Sequence, residues 1–312
     1  MKEFVKYLLS VLAVNTVACS ALLYYTIHEY RKDPFPPAKE GCTAALFGNS
    51  VGETACNPAI LTAIDNRSLG GTPLFWLQAG IEDYIRSNGQ IKTLYISWEP
   101  LTYTMDSNER LATEKIPGMR ACFPWICMDI GRLSPLPLTQ WVRCLLGTNV
   151  ITEKKQPWHF GFVSLERNNI LTGQWSQEWY KETYPQRKEL PLSVAEKTHS
   201  WNLGALRDII DYCHRRGVKV VLIQMPMYHL DRWIDFQGFY DFLATLDDKV
   251  EIADYINFPM PDDSYYGDVQ HLNRKGADYF CMFLKENGIR TIPLKEYIRG
   301  LDRDKRQDSD IP

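Results

Sequence analysis

Asn202–Ile223 reads NLGALRDIIDYCHRRGVKVVLI. Leu203, Leu206, Ile209, Ile210 and Cys213 recur at helical spacing, which predicts an amphipathic helix over Asn202–Arg216. Gly217 ends that helix, since glycine tolerates the left-handed backbone of a helix terminus. Val218–Ile223 comes next as an almost unbroken apolar run rich in β-branched residues. Such a run is expected of a central strand buried on both faces of a parallel sheet.

The same alternation extends outward. Upstream, short apolar runs at Thr43–Phe47, Ile64–Leu69 and Thr93–Ser97 predict strands, and Pro58–Ala63 and Leu74–Ser87 predict helices. Downstream, Phe236–Leu246 reads as a helix, Val250–Ala253 as a strand and Leu272–Glu286 as a final helix. Strands alternating with helices predict an α/β fold, a three-layer α/β/α arrangement around a mainly parallel sheet. Ligands in such folds bind beyond the carboxyl ends of the strands. Chemistry is therefore expected just after Phe47, Leu69, Ser97, Gln224 and Asp254.

The alternation lapses between Leu101 and Ser200, a stretch rich in Trp, Pro and polar residues. It reads as an insertion leaving the sheet at its ligand-binding edge. Trp125, Trp141, Trp158, Trp175, Trp179 and Trp201 could stack on sugar rings there, or fill a small core of the insertion itself.

The N-terminus carries a separate signal. Tyr7–Ile27 holds no charged residue. As a helix it would extend about 31 Å, close to the thickness of a bilayer's hydrocarbon core. Pro34, Pro36 and Pro37 isolate it from the rest of the chain. A cleaved signal peptide is the rival reading, and Thr16–Cys19 resembles a lipoprotein cleavage site. The apolar run continues beyond Cys19 through Tyr25, which favours an uncleaved anchor. Basic residues are nearly balanced across the span. The short N-terminal tail favours a single-pass signal-anchor with the large domain outside the cytoplasm. The expected organisation is an anchor at 1–27, a linker at 28–40, a domain at 41–295 with an insertion at 101–200, and a polar tail at 296–312.

The chain has 312 residues and a formal net charge of -3, with no long basic run, so nucleic acid is not an expected partner. Its eight cysteines form no Cys-x-x-Cys pair, and His159, His199 and His229 lack metal-ligand spacing. No metal or cofactor is expected. An oxidising compartment would allow a disulfide or two, whose pairing the spacing leaves open.

Two motifs carry candidate chemistry. Leu46-Phe47-Gly48-Asn49-Ser50-Val51-Gly52-Glu53-Thr54 places a serine in a small-residue loop after the first strand. It is not a phosphate loop: Gly48 and Gly52 are one residue too close, and Glu53 stands at the lysine position. The bland alternative is an ordinary turn, which Gly-Asn-Ser favours in any case. Gly267-Asp268-Val269-Gln270-His271-Leu272-Asn273-Arg274-Lys275-Gly276-Ala277 places an acid three residues before a histidine, ahead of the last helix. A carboxylate so placed can fix the imidazole tautomer and leave the second ring nitrogen free as a base.

Together the two motifs resemble the SGNH (GDSL-like) hydrolase superfamily, with its flavodoxin-like sheet. More narrowly the chain resembles the membrane-anchored branch that includes proteins of D-alanyl transfer and polysaccharide O-acetylation. The resemblance covers most of Ala44–Gly288. It implies Ser50 as nucleophile, His271 as general base and Asp268 as its orienting partner. It also implies an oxyanion hole from the N–H groups of Ser50 and Gly70. Two departures stand out. Asn49 replaces the more usual Asp, and Ser97-Trp98-Glu99-Pro100 stands where an oxyanion Asn is expected. The implied function is a membrane-tethered serine esterase or O-acyltransferase, acting on an acylated glycan or lipid of the cell envelope. The alternative is a catalytically degenerate binding or scaffold protein on the same fold.

Overall fold

The computed structural model describes residues 2–31, 37–99, 200–228, 237–246, 250–268 and 270–300. The insertion expected at 101–200, apart from Ser200, lies outside the described residues, as do five of its tryptophans and the tail beyond residue 300.

The first element, α1 (Lys2–Arg31), is a continuous helix. Over Lys2–Ala21 its mean hydropathy is 1.5 and none of it is buried against the rest of the chain. It is long and apolar enough to cross a membrane, criteria that a signal sequence also meets.

The remaining elements alternate. They are β1 (Ala44–Phe47), α2 (Ser50–Ala55), β2 (Ile64–Asn66), α3 (Leu74–Ser87), β3 (Thr93–Ser97) and α4 (Ser200–Arg215). Then come β4 (Lys219–Gln224), α5 (Gln237–Leu243), β5 (Glu251–Asp254), α6 (Arg274–Asn287) and β6 (Ile292–Pro293). The strands form one sheet in the order β2-β1-β3-β4-β5-β6. All neighbours run parallel except β6, which pairs antiparallel with β5. Ala44 sits opposite both Ile64 and Thr93, and Ile96 opposite Leu222, so the parallel strands end nearly in line. The strand order reverses between β1 and β3, and that switch point is where a doubly wound sheet opens a crevice for ligands.

Period-two alternation sorts the strand side chains between two cores. Ala45, Phe47, Leu94, Ile96, Val220, Leu222 and Ile252 pack with residues of α3, α4 and α5. Ala44, Leu46, Val221, Ile223 and Ala253 pack with residues of α2 and α6. Val220, Val221 and Leu222 are fully buried, as the apolar run at Val218–Ile223 requires. The edge strand β2 is fixed by polar contacts. Both Nε and one terminal nitrogen of Arg67 donate to Asp65 Oδ2, at 2.8 and 2.7 Å. The Tyr84 hydroxyl donates to the same oxygen at 2.7 Å. Arg67 also donates to the Pro37 carbonyl at 3.0 Å, tying the start of the domain to this strand.

Three expectations shift. The helix expected at Pro58–Ala63 is a run of turns, and the helix in this region is α2, immediately after β1. Asn57 explains the change. Its side-chain oxygen accepts from Ala59 N at 3.0 Å and its carbonyl from Ile60 and Leu61 N, which closes a single turn. The strand expected over Ile64–Leu69 stops at Asn66, whose carboxamide accepts from Ser68 N at 3.0 Å and turns the chain. Finally, α6 begins at Arg274 rather than Leu272, because Asn273 is its N-cap and accepts from Gly276 N at 3.0 Å.

Candidate active site

Ser50 opens α2 at the carboxyl end of β1, beside the switch point. The preceding Asn49 caps the helix, its side chain accepting from Val51 N at 2.9 Å. Asn and Asp are comparable N-caps, so Asn49 serves this turn as an Asp would. As the first residue of α2, Ser50 has no intrahelical acceptor for its N–H.

The two glycines of this loop serve packing. A Cβ added at Gly48 would lie 2.5 Å from Ser97 Cβ, and one at Gly52 would lie 2.7 Å from the same atom. Only a bare backbone lets α2 settle against the end of β3. This accounts for the Gly48–Gly52 spacing without any phosphate. At the other end of α2, Asn66 Nδ2 donates to the Cys56 carbonyl at 2.9 Å and to the Gly52 carbonyl at 3.2 Å.

Asp268 and His271 sit on a tight loop ahead of α6. Tyr266 and Leu272 form an isolated antiparallel bridge, and Gly267 N donates to the His271 carbonyl at 2.8 Å. Asn273 closes the loop from below, its Nδ2 donating to the carbonyls of Ser264 at 2.8 Å and Tyr266 at 3.2 Å. Gly276 is needed here too, since a Cβ on it would overlap the Tyr265 carbonyl oxygen.

The two motifs, 221 positions apart, meet. His271 Nε2 lies 2.7 Å from Ser50 Oγ. His271 Nδ1 lies 2.8 and 2.7 Å from the two carboxyl oxygens of Asp268. With Nδ1–H donated to the carboxylate, Nε2 is left as acceptor for the serine O–H. Asp268 Oδ1 further accepts from the backbone N–H groups of Gln270 at 2.7 Å and His271 at 2.9 Å. Burial pushes the Asp268 carboxyl up. The bond and charge of His271, with the two backbone N–H groups, outweigh burial and hold it below its ordinary range. The imidazole is largely enclosed, 8% exposed, while Ser50 is half-buried and open to an incoming group.

Helix α2 is also tied to α6. Asn57 Nδ2 donates to Asp278 Oδ1 at 2.6 Å, and Asn57 N donates to Cys281 Sγ at 3.1 Å. Cys281 Sγ in turn donates to the Ala55 carbonyl at 3.3 Å. These bonds join the helix bearing Ser50 to the helix following His271.

Gly70 reaches the site through the chain after β2, where Leu69 N donates to the Gly48 carbonyl at 2.9 Å. A Cβ on Gly70 would lie 3.5 Å from Ser50 Cβ and 2.7 Å from Glu53 Oε2. Glu53, which the sequence marks only as a charge that excludes phosphate, borders the site. It is 1% exposed, and no hydrogen bond of ordinary geometry reaches either carboxyl oxygen. Burial pushes its carboxyl up to about 8, with only the Gly70 N–H pulling the other way. After β3, the Ser97 hydroxyl donates to the Glu99 carboxylate and Trp98 is fully buried. Among the described residues no cluster of His, Cys, Asp or Glu could hold a metal ion.

The chain matches no protein-family model and no curated protein. Among solved structures it is similar to a protein of Streptococcus pneumonia provisionally assigned as a platelet activating factor. That likeness has 12% identity over 88% of this chain and 98% of the other, with a TM-score of 0.40. It is also similar to a provisionally assigned acylhydrolase of Bacteroides fragilis. There the identity is 11% over 86% of this chain and 94% of the other, with a TM-score of 0.38. Superpositions this loose bear no weight on function.

Proposed function

We propose that this chain is a serine esterase or O-acyltransferase that uses Ser50, His271 and Asp268 as a catalytic triad. The observation that supports it is the continuous relay from Ser50 Oγ through both nitrogens of His271 to Asp268, with neither step longer than 2.8 Å. In this reading Ser50 Oγ attacks the carbonyl carbon of an ester while His271 Nε2 takes its proton. The oxyanion that forms is met by the N–H groups of Ser50 and Gly70. Collapse breaks the ester C–O bond, and the departing alkoxide takes the proton from His271. An acyl-enzyme on Ser50 remains. Water then releases an acid, or a sugar hydroxyl accepts the acyl group, with His271 again moving the proton.

A second reading has its own support. The end of β3 offers Ser97, Trp98 and Glu99 in place of an oxyanion carboxamide, and Ser97 is already committed to Glu99. A scaffold that binds acylated glycan without turning it over would tolerate that loss. Covalent trapping separates the two. A fluorophosphonate should phosphonylate Ser50 and leave a folded Ser50→Ala variant untouched, whereas a scaffold would not react.

The proposed substrate class and location rest on the anchor reading of α1. We read it as a single-pass anchor that places the α/β domain, a three-layer sandwich in this reading, outside the cytoplasm, facing acylated envelope glycans or lipids. The full chain should remain with membranes through an alkaline wash and enter solution only with detergent. Recovery in the soluble fraction without detergent would contradict the anchor.

A further inference from the structure

We propose that Glu53 is a positioning residue that acts through Gly70: as a neutral acid it seats the Gly70 turn against Ser50, and as a carboxylate it draws the Gly70 N–H away from the reacting carbonyl. The inference rests on the triad reading and deepens it.

The geometry is local. Glu53 lies three positions after Ser50 in α2, so the two share one face of the helix. The slot that a Gly70 side chain would fill is already occupied by Glu53 Oε2, 2.7 Å from the added Cβ. Ser50 Cβ borders the same slot at 3.5 Å. A side chain at position 70 would press on the carboxyl end of Glu53. Both carboxyl oxygens are buried without a hydrogen bond of ordinary geometry, and the Gly70 N–H is the group that bears on them. A carboxylate abandoned in that state would be strongly disfavoured, whereas a neutral acid is tolerated. Burial accordingly moves its ionisation to about 8.

The groups facing Glu53 leave it without a counter-ion among the described residues. From β2 and its extension come Asn66, whose Nδ2 serves the Gly52 and Cys56 carbonyls, and Ser68, whose buried hydroxyl has no partner. From β3 comes Ser97, packed on Gly52 and bonded to Glu99. The charged groups nearest in the fold are engaged elsewhere, His271 with Ser50 and Asp278 with Asn57. No charged side chain among these acts appreciably on Glu53.

Below about 8 the acid is neutral and its pull on the Gly70 N–H is weak; in this proposal that N–H then turns to the oxyanion. Above it the charged carboxylate accepts the N–H far more strongly and one oxyanion donor is withdrawn. Withdrawal of one such donor lowers turnover roughly 100-fold.

The experiment is the pH profile of p-nitrophenyl acetate hydrolysis by the full chain in detergent, from pH 6 to 10, for wild type, E53Q, E53M and E99Q. The wild type is expected to lose kcat, with KM little changed, as pH rises through about 8. E53Q, neutral at every pH, is expected to turn over several-fold more slowly at pH 7 and to show no alkaline loss. E53M gives the same flat alkaline limb should E53Q fail to fold, and E99Q keeps the wild-type limb. A wild-type rate that stays level to pH 10, an alkaline loss that survives in E53Q or E53M, or one abolished by E99Q would overturn the inference while leaving the triad standing. Absence of any Ser50-dependent turnover at every pH would instead remove the triad reading on which the inference rests.

Discussion

His271→Ala is expected to lower ester turnover on the order of a million-fold, nearly to the level of Ser50→Ala. A serine hydroxyl is a weak nucleophile at neutral pH and needs a base within hydrogen-bond reach. In the proposed triad His271 Nε2, at 2.7 Å, fills that role, and no other described side chain hydrogen-bonds Ser50 Oγ. The fold should survive the change. The loop is held by the His271 carbonyl, its N–H and the Asn273 carboxamide, none of which is removed. Stopped-flow hydrolysis of a p-nitrophenyl ester, read beside a thermal melt, measures both effects. A loss smaller than about tenfold would mean that the imidazole is not the base.

Asp268→Asn is expected to cost roughly 10,000-fold in kcat with little change in KM. The carboxamide oxygen can still accept from the Gln270 and His271 backbone N–H groups, so the loop should keep its shape. Its NH2 group, however, would face His271 Nδ1. That favours the tautomer with its proton on Nε2, aimed at Ser50 and unable to act as a base. Because the two residues act as one unit, the double variant His271→Ala, Asp268→Asn should be no slower than His271→Ala alone. Additive losses would show that Asp268 works independently of the imidazole.

Parts of this site are open to reading from sequence, for reasons that particular residues make plain. Val218–Ile223 announces itself because a strand buried on both faces cannot alternate, and Val220–Leu222 are indeed fully buried. The Asp268–His271 spacing is short enough for one loop to determine, and the two side chains meet within that loop. Helix α2 is illegible because Gly48, Gly52 and Asn49 look like turn formers. Their helix-compatible roles emerge only when Ser97 packs against the glycines and Asn49 caps the chain. The turn at Pro58–Ala63 reads as a helix because proline suits a first helical position, while the competing acceptor, Asn57, sits just upstream. Strand β6 has two residues, one of them proline, and carries no periodic signal at all. Glu53 is legible only as a charge that excludes phosphate. That it is buried depends on the turn at Gly70, which enters from another strand.

The site of fluorophosphonate attachment reports whether Ser50 is the nucleophile. The full chain in detergent is treated with the probe, its intact mass is measured, and the modified peptide is mapped. A single adduct is expected, located on Ser50, formed in wild type and absent from a Ser50→Ala variant that melts normally. An adduct on another serine, equal labelling of Ser50→Ala, or a folded wild-type chain that takes up no probe would contradict it.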